Sequence, residues 1–265
     1  MFDSFDRSIT CLRVSVTDKC NLRCRYCMPE EGVPLRGHGE LLSFEKLAEA
    51  VRAAVGLGIT KVRLTGGEPL VRRGIVELVR MLAGIEGLAE LAMTTNGTLL
   101  PRFARELRAA GLHRLNISLD TLDPARYREI TRGGSFPDAL AGVRAALDAG
   151  FPVKINMVVL EDTTEEDIAG MRRFAQAMGA RVQLIQHYSL AREKADSSRF
   201  DRPASCESCN RIRLMADGML KPCLHSDQEV PLDFSRPEES LREAILAKPA
   251  RGGVCTNRAM TQIGG

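Results

Sequence analysis

Leu12-Arg13-Val14-Ser15-Val16-Thr17-Asp18-Lys19-Cys20-Asn21-Leu22-Arg23-Cys24-Arg25-Tyr26-Cys27 is the stretch that decides the fold. Residues 12–16 form a short apolar run broken by one arginine and one serine, which reads as a buried strand. Three cysteines then fall within eight residues of loop, spaced C-x-x-x-C-x-x-C. Thiolates this close in sequence can hold three irons of a 4Fe–4S cube and leave the fourth iron open to a small chelating molecule. The same thiolates could serve a zinc site.

The strand–helix unit repeats as far as residue 186. Further apolar runs at 61–64, 91–94, 114–119, 153–160 and 182–185 read as strands. Helical patterns lie between them, at 43–56, 73–83, 101–110, 137–149 and 165–178. Thr164, with Asp167 three residues on, has the form of a helix N-cap. Short strands alternating with helices predict an α/β fold with a parallel sheet. Six such units predict a partial (β/α)6 barrel over residues 1–186, with its chemistry at the strand C-terminal ends. Residues 187–205 are polar and read as a linker. Residues 206–265 are cysteine-bearing and loop-rich, with a hairpin expected at 212–215 and 218–221 and a helix at 238–247. So small a region lacks a core of its own, so a metal is expected to organise it.

Composition narrows the function classes. Among 265 residues, 37 Lys and Arg face 34 Asp and Glu, a net charge of +3. That balance gives no electrostatic case for nucleic acid or a membrane surface as partner. No run of about 18 apolar residues is present, and the first residues lack the blocks of a signal peptide. A cytoplasmic protein is expected, whose eight cysteines read as metal ligands rather than disulfides.

Other residues gather at the strand ends. Thr65-Gly66-Gly67-Glu68-Pro69 closes the second strand, Thr94-Thr95-Asn96-Gly97 the third and Ser118-Leu119-Asp120 the fourth. Glycine pairs let backbone approach a ligand closely, although a plain strand–helix turn would use the same residues. A second cysteine set, Cys206-Glu207-Ser208-Cys209 and then Cys223, reads as another incomplete cluster ligand set, or as a zinc knuckle completed by His225 or Cys255. Arg13, Arg63 and Lys154 stand inside apolar strands, where an unpaired charge is costly, so each needs an anion or a carboxylate partner. Cys11 and Met157 read as core.

These motifs together resemble the radical S-adenosylmethionine (SAM) superfamily, and within it the GTP 3′,8-cyclase family of molybdenum cofactor biosynthesis. The resemblance is carried by residues 12–18, Tyr26-Cys27-Met28-Pro29, Arg63-Leu64 through Pro69-Leu70, Thr94-Thr95-Asn96-Gly97 and Ser118-Leu119-Asp120. Cys209-Asn210-Arg211-Ile212-Arg213-Leu214, Pro222-Cys223-Leu224 and the closing Ile263-Gly264-Gly265 extend it over nearly the whole chain. It implies two 4Fe–4S clusters, one on Cys20, Cys24 and Cys27 and one on Cys206, Cys209 and Cys223. It implies S-adenosylmethionine bound by Tyr26, Gly66, Gly67, Glu68 and Ser118. It implies a nucleotide, GTP, held by Arg13, Arg63, Thr94, Lys154, Arg211 and Arg213. Arg211, Arg213, Gly264 and Gly265 would belong to the catalytic machinery, and a reductant protein such as flavodoxin or ferredoxin would supply electrons. The activity implied is that of a lyase which makes a 5′-deoxyadenosyl radical.

Two departures bear on the substrate. Ile185 stands where the family has an arginine, and several dozen residues that the family carries before its second cysteine set are missing here. A paralogue acting on a peptide or another small metabolite is therefore one alternative, and a zinc- or cluster-binding regulatory protein is another. The sequence leaves the oligomeric state open, a homodimer among the arrangements.

Overall fold

The six apolar runs become six parallel strands. The computed structural model describes residues 1–34, 37–195 and 198–264. Its strands are β1 (Cys11–Ser15), β2 (Lys61–Thr65), β3 (Glu90–Thr95), β4 (Arg114–Ser118), β5 (Val153–Val159) and β6 (Arg181–Gln186), each paired in parallel with the next. Helices α1 (Phe44–Gly56), α2 (Ile75–Ala83), α3 (Leu100–Ala109), α5 (Phe136–Asp148) and α6 (Glu165–Ala177) supply the crossovers. The expected capping box at Thr164 and Asp167 is present. Within the barrel one α-helix lies outside the sequence reading, α4 (Pro124–Thr131). Its signal was Asp123-Pro124: the Asp123 side chain accepts from the amides of Ala125 and Arg126, and proline occupies the first turn, where its missing N–H costs nothing.

Strand alternation sorts the sheet into two faces. Leu12, Val14, Val62, Leu64, Leu91, Met93, Leu115, Ile117, Ile155 and Met157 are fully buried in one core with the helices. The opposite face carries Arg13, Arg63, Thr94, Asn116, Ser118, Lys154 and Asn156. Register sets Arg13 beside Arg63 and aligns Thr94, Asn116 and Lys154 across β3, β4 and β5. This is a partial (β/α)6 barrel whose polar face stays available to a ligand.

The region after residue 206 differs from the expectation that metal alone organises it. β7 (Arg211–Leu214) pairs in parallel with β1, and β8 (Met219–Lys221) and β9 (Val230–Pro231) follow antiparallel, so the sheet runs β6-β5-β4-β3-β2-β1-β7-β8-β9. Ile212, Leu214, Leu220 and Leu241, the last from α7 (Pro237–Leu246), are buried in the main core. Apolar burial against the barrel therefore supports this region. Pairing with β1 also sets Arg213 directly beside Arg13, making a row of three arginines with Arg63.

Candidate active site

At the C-terminal ends of the strands lies an open cavity bounded by Cys20, Cys24, Cys27, Tyr26, Gly66, Gly67, Thr94, Ser118, Tyr188 and Thr261 among others. The glycine pair is a packing requirement. A Cβ on Gly66 would lie 2.4 Å from the carbonyl oxygen of Thr17, and one on Gly67 would lie 2.3 Å from that of Lys19. The amides of Gly67 and Glu68 donate to those same two carbonyls, at 2.8 Å each. The turn is thus laced to the segment that leads into the cysteine loop.

Glu68 itself sits behind the cavity wall. Its carboxylate accepts from Leu70 N (3.0 Å), Thr95 Oγ1 (2.7 Å) and Asn96 N (2.7 Å), and burial lifts its pKa to about 7. Tyr26 lines the cavity while its hydroxyl donates to Asp120 Oδ2 at 2.7 Å; burial lifts Asp120 to about 6.

A second cavity continues from the first across Thr94, Asn156, Ile185 and Tyr188, which line both. Its wall carries Cys206, Cys209 and Cys223 together with Arg7, Arg13, Arg63, Lys194, Arg202, Arg211, Arg213 and Lys248. Among the described residues no carboxylate lines it. The arginines depress one another: burial first, then Arg213, Arg63 and Arg211, pushes Arg13 well below its ordinary range. Burial and Arg211 lower Arg213, whose Nε has no hydrogen-bond partner, as is also true of Arg63 Nε. Like charges crowded in a partly desolvated site repel one another, and an anionic ligand relieves that cost.

Both cysteine sets suit cluster ligation. Buried amides already aim at sulfur: Leu22 N at Cys20 Sγ and Gly252 N at Cys206 Sγ, each 3.4 Å. Such bonds tune cluster thiolates. Burial pushes Cys24 up to about 12 and raises Cys20 and Cys27, so without a metal these thiols hold their protons, and a bound metal would have to displace them. Burial also acts upward on Cys209, but Lys248 and Arg211 outweigh it and bring that thiol down to about 7. Among the described residues no three His, Cys, Asp or Glu side chains gather as they would around a single metal ion.

The structure brings most of the sequence-predicted residues to these two cavities. Lys154, half-buried on β5, lines neither, and Glu68 braces from behind. Gly265 lies outside the described residues. Gly264, at φ +72°, packs against the mouth, where a Cβ would meet Thr65 Oγ1 at 2.2 Å and Gly66 N at 3.2 Å. Cys255 turns away into a small core with Leu190, Met215 and Ile263, its Sγ donating to Asn257 Oδ1 at 3.4 Å. His225 lines the second cavity with both ring nitrogens buried and unpartnered. Cys11 is only half-buried and stands beside Arg211 in register, while Met157 is core as expected.

Four cations of this wall escaped the sequence reading, Lys194 among them. Arg7 pairs with Asp3 at 2.6 Å and donates to the carbonyls of Cys206, Pro249 and Ala250, clamping the second cysteine loop. Lys248 donates to the carbonyls of Arg211 and Pro222. Arg202 reaches the cavity from the segment read as a linker. Asn156 was open to detection, two residues beyond Lys154 on the same polar face of β5.

Comparison with known proteins follows the same lines. The radical SAM superfamily model matches residues 14–175. The GTP 3′,8-cyclase of Alkaliphilus oremlandii (strain OhILAs) is 40% identical over a matched length of 320 residues that spans the whole of both chains. The GTP 3′,8-cyclase of Peptoclostridium acidaminophilum is 42% identical, covering all of this chain and 98% of its own. A matched length of 320 exceeds this chain's 265 residues, so that relative carries a stretch with no counterpart here. Among solved structures, Streptococcus suis SuiB bound to its precursor peptide SuiA superposes with a TM-score of 0.70 at 17% identity, covering 95% of this chain and 67% of that one. The enzyme anSMEcpe with bound AdoMet gives 0.66 at 14%, covering 89% and 79%. Both share the fold. S-adenosylmethionine and an iron–sulfur cluster come with the superfamily, and the cysteine-lined cavity at the strand ends fits them. With its radical SAM domain and its full-length similarity to these cyclases, the chain belongs to the radical SAM superfamily and, within it, to the GTP 3′,8-cyclase family.

Proposed function

We propose that this chain is a two-cluster radical enzyme acting on GTP, joining the 3′ and 8 positions named in its relatives' activity. The observation that carries the reading is the cation wall. Arg13, Arg63, Arg211 and Arg213 converge beside the second cysteine set with no lining carboxylate among the described residues, as a triphosphate requires. Arginine's planar fork suits phosphate oxygens bidentately.

Cys20, Cys24 and Cys27 would hold the cluster that works with S-adenosylmethionine, and Cys206, Cys209 and Cys223 the second. When bound, the first cluster and S-adenosylmethionine supply a 5′-deoxyadenosyl radical for hydrogen abstraction. The chain's own residues set where that radical acts. Tyr26, Gly66, Gly67 and Ser118 line the cofactor side, and the arginines line the nucleotide side. The shared lining of Thr94, Asn156, Ile185 and Tyr188 makes the two sites one continuous space. Gly264 closes the mouth against Thr65, helping to keep water from a reactive intermediate.

Calorimetry on anaerobically reconstituted protein tests the assignment. GTP should bind, Arg213→Ala should weaken it roughly tenfold or more, and GTP should speed formation of 5′-deoxyadenosine. Reconstituted wild type that neither binds GTP nor responds to it would overturn the reading.

A further inference from the structure

The segment between β6 and the second cysteines holds a side chain, Arg202, for which the reading above has no use. Residues 201 and 202 do not loop freely past β6. Arg202 N donates to Leu184 O (3.1 Å) and Gln186 N donates to Arg202 O (2.9 Å), forming a parallel bridge between Ile185 and Arg202. Leu184 N donates to Asp201 Oδ2 at 2.8 Å, and Ser198 Oγ caps the Arg202 carbonyl at 2.9 Å. The backbone is therefore fixed on both sides of Arg202 without help from its guanidinium.

The guanidinium lines the arginine cavity and, among the described residues, makes no ion pair. Burial lowers its pKa first, then Arg211 and Arg63 as neighbouring like charges, while the thiols of Cys209 and Cys11 act the other way as smaller influences. A structural arginine is normally matched by a carboxylate or by carbonyl oxygens, as Arg7 is in the same wall. Among the described residues Arg202 has neither, although four backbone and side-chain bonds place it. The neighbouring position on β6, Ile185, contributes only an apolar surface to both cavities. Four residues after Arg202 the chain enters the second cysteine loop at Cys206, so one short segment delivers both a cation and a thiol to the same cavity.

We propose that Arg202 is a phosphate-binding residue, completing with Arg63 and Arg211 a three-arginine cradle for the phosphate chain of the substrate. The proposal rests on the nucleotide reading for the identity of the substrate, but the cradle itself is a site for a polyphosphate anion. Bidentate contact from a guanidinium to phosphate is strong and geometrically specific. Because backbone bonds hold the segment, truncating the side chain removes the contact and leaves the fold.

The test compares wild type, Arg202→Ala and Arg202→Lys by calorimetry, on anaerobically reconstituted protein with the iron content of each measured. The probes are GTP, guanosine and inorganic tripolyphosphate. Arg202→Ala should weaken GTP and tripolyphosphate by roughly ten- to a hundredfold, change guanosine less than about twofold, and leave the melting temperature and iron content as in wild type. Arg202→Lys, which keeps the charge but not the fork, should fall between. Unchanged GTP and tripolyphosphate affinity in Arg202→Ala overturns the proposal, as does equal weakening of GTP and guanosine, which would mark a structural role. Wild type that binds tripolyphosphate through Arg202 but not GTP would uphold the cradle while removing the nucleotide reading.

Discussion

Gly264→Ala should release the C-terminal segment from the mouth of the active site while leaving the barrel folded. The new Cβ would lie 2.2 Å from Thr65 Oγ1 and 2.8 Å from Thr65 Cβ, against an optimum of roughly 3.5–4.0 Å for such contacts. Rotating Thr65 about χ1 moves its Oγ1 but not its Cβ, and that side chain is 2% exposed, donating to Val14 O. Overpacking of this kind costs about 1–3 kcal/mol. Alanine at φ +72° adds roughly 1–2 kcal/mol more, for a total of about 2–5 kcal/mol.

Set against this is what docks the segment. The short helix α8 (Met260–Ile263) buries Ile263 to 1% exposure, about 2 kcal/mol, and Ser15 Oγ donates to Gln262 O at 3.3 Å, about 1 kcal/mol. Perturbation and docking are of one size, so the undocked form becomes a large fraction of the molecules. Hydrogen exchange or limited proteolysis across residues 253–264 should show lost protection, with the melting temperature near wild type. S-adenosylmethionine cleavage should persist with poor product formation. Thr65→Gly in the same chain, which removes both clashing atoms, should restore protection. Full protection and full turnover in Gly264→Ala would falsify the packing argument.

Four further outcomes follow from other contacts. Gly67→Ala, whose Cβ would meet the Lys19 carbonyl at 2.3 Å, should cost S-adenosylmethionine affinity by shifting the first cysteine loop; equal affinity by calorimetry would contradict the lacing described above. Arg258→Ala should destabilise the protein by about 3–5 kcal/mol: its guanidinium bonds both oxygens of Glu229 and reaches Asp217 at 2.7 Å, all with 10% exposed side chains. Chemical denaturation reads this, and Arg258→Lys should recover only part of the loss. Cys206→Ser should lower iron from about eight to about four atoms per chain while S-adenosylmethionine still binds; loss of all iron would refute independent clusters. Glu68 and Asp120, lifted by burial to about 7 and about 6, hold their protons in the folded state at a pH where the unfolded chain has released them. That stability is complete below the unfolded pKa values, about 4, and is lost as pH rises from there through the folded values of about 6 and about 7. Melting temperature without cofactor should fall across that range, and Glu68→Gln with Asp120→Asn should flatten the slope.

The repeating unit was legible because parallel strands buried against helices are short, nearly continuous apolar runs; only strand ends shifted, β3 gaining Glu90 and Thr95. α4 escaped because Tyr127 and Ile130 are its only large buried side chains, too few to show a helical period. The partner of β7 could not be read at all. Its pairing with β1 joins residues about two hundred positions apart, and no local pattern encodes that register. Arg7 and Lys248 were hidden for a similar reason, since their partners are backbone carbonyls contributed by distant loops. The strand-end motifs were legible as a set because α/β topology brings successive strand ends to one mouth. The orientation of Glu68, behind the wall rather than in it, needed coordinates.

The missing stretch before the second cysteines raised doubt about the substrate, and the sheet order answers part of it. The cation wall is assembled chiefly by strand pairing: β7 against β1 sets Arg213 beside Arg13, and β1 against β2 sets Arg13 beside Arg63. None of those pairings runs through the residues between β6 and Cys206. A chain that shortens this connection therefore keeps three arginines in register, because main-chain hydrogen bonds fix their spacing. What the shortening does change is the β6 side of the cavity, where Ile185 is apolar. There the remaining residues form a bridge rather than a free loop, and Arg202 enters from it. Substrate recognition in this chain should accordingly be conservative on the β1–β2–β7 side and particular to this chain on the β6 side.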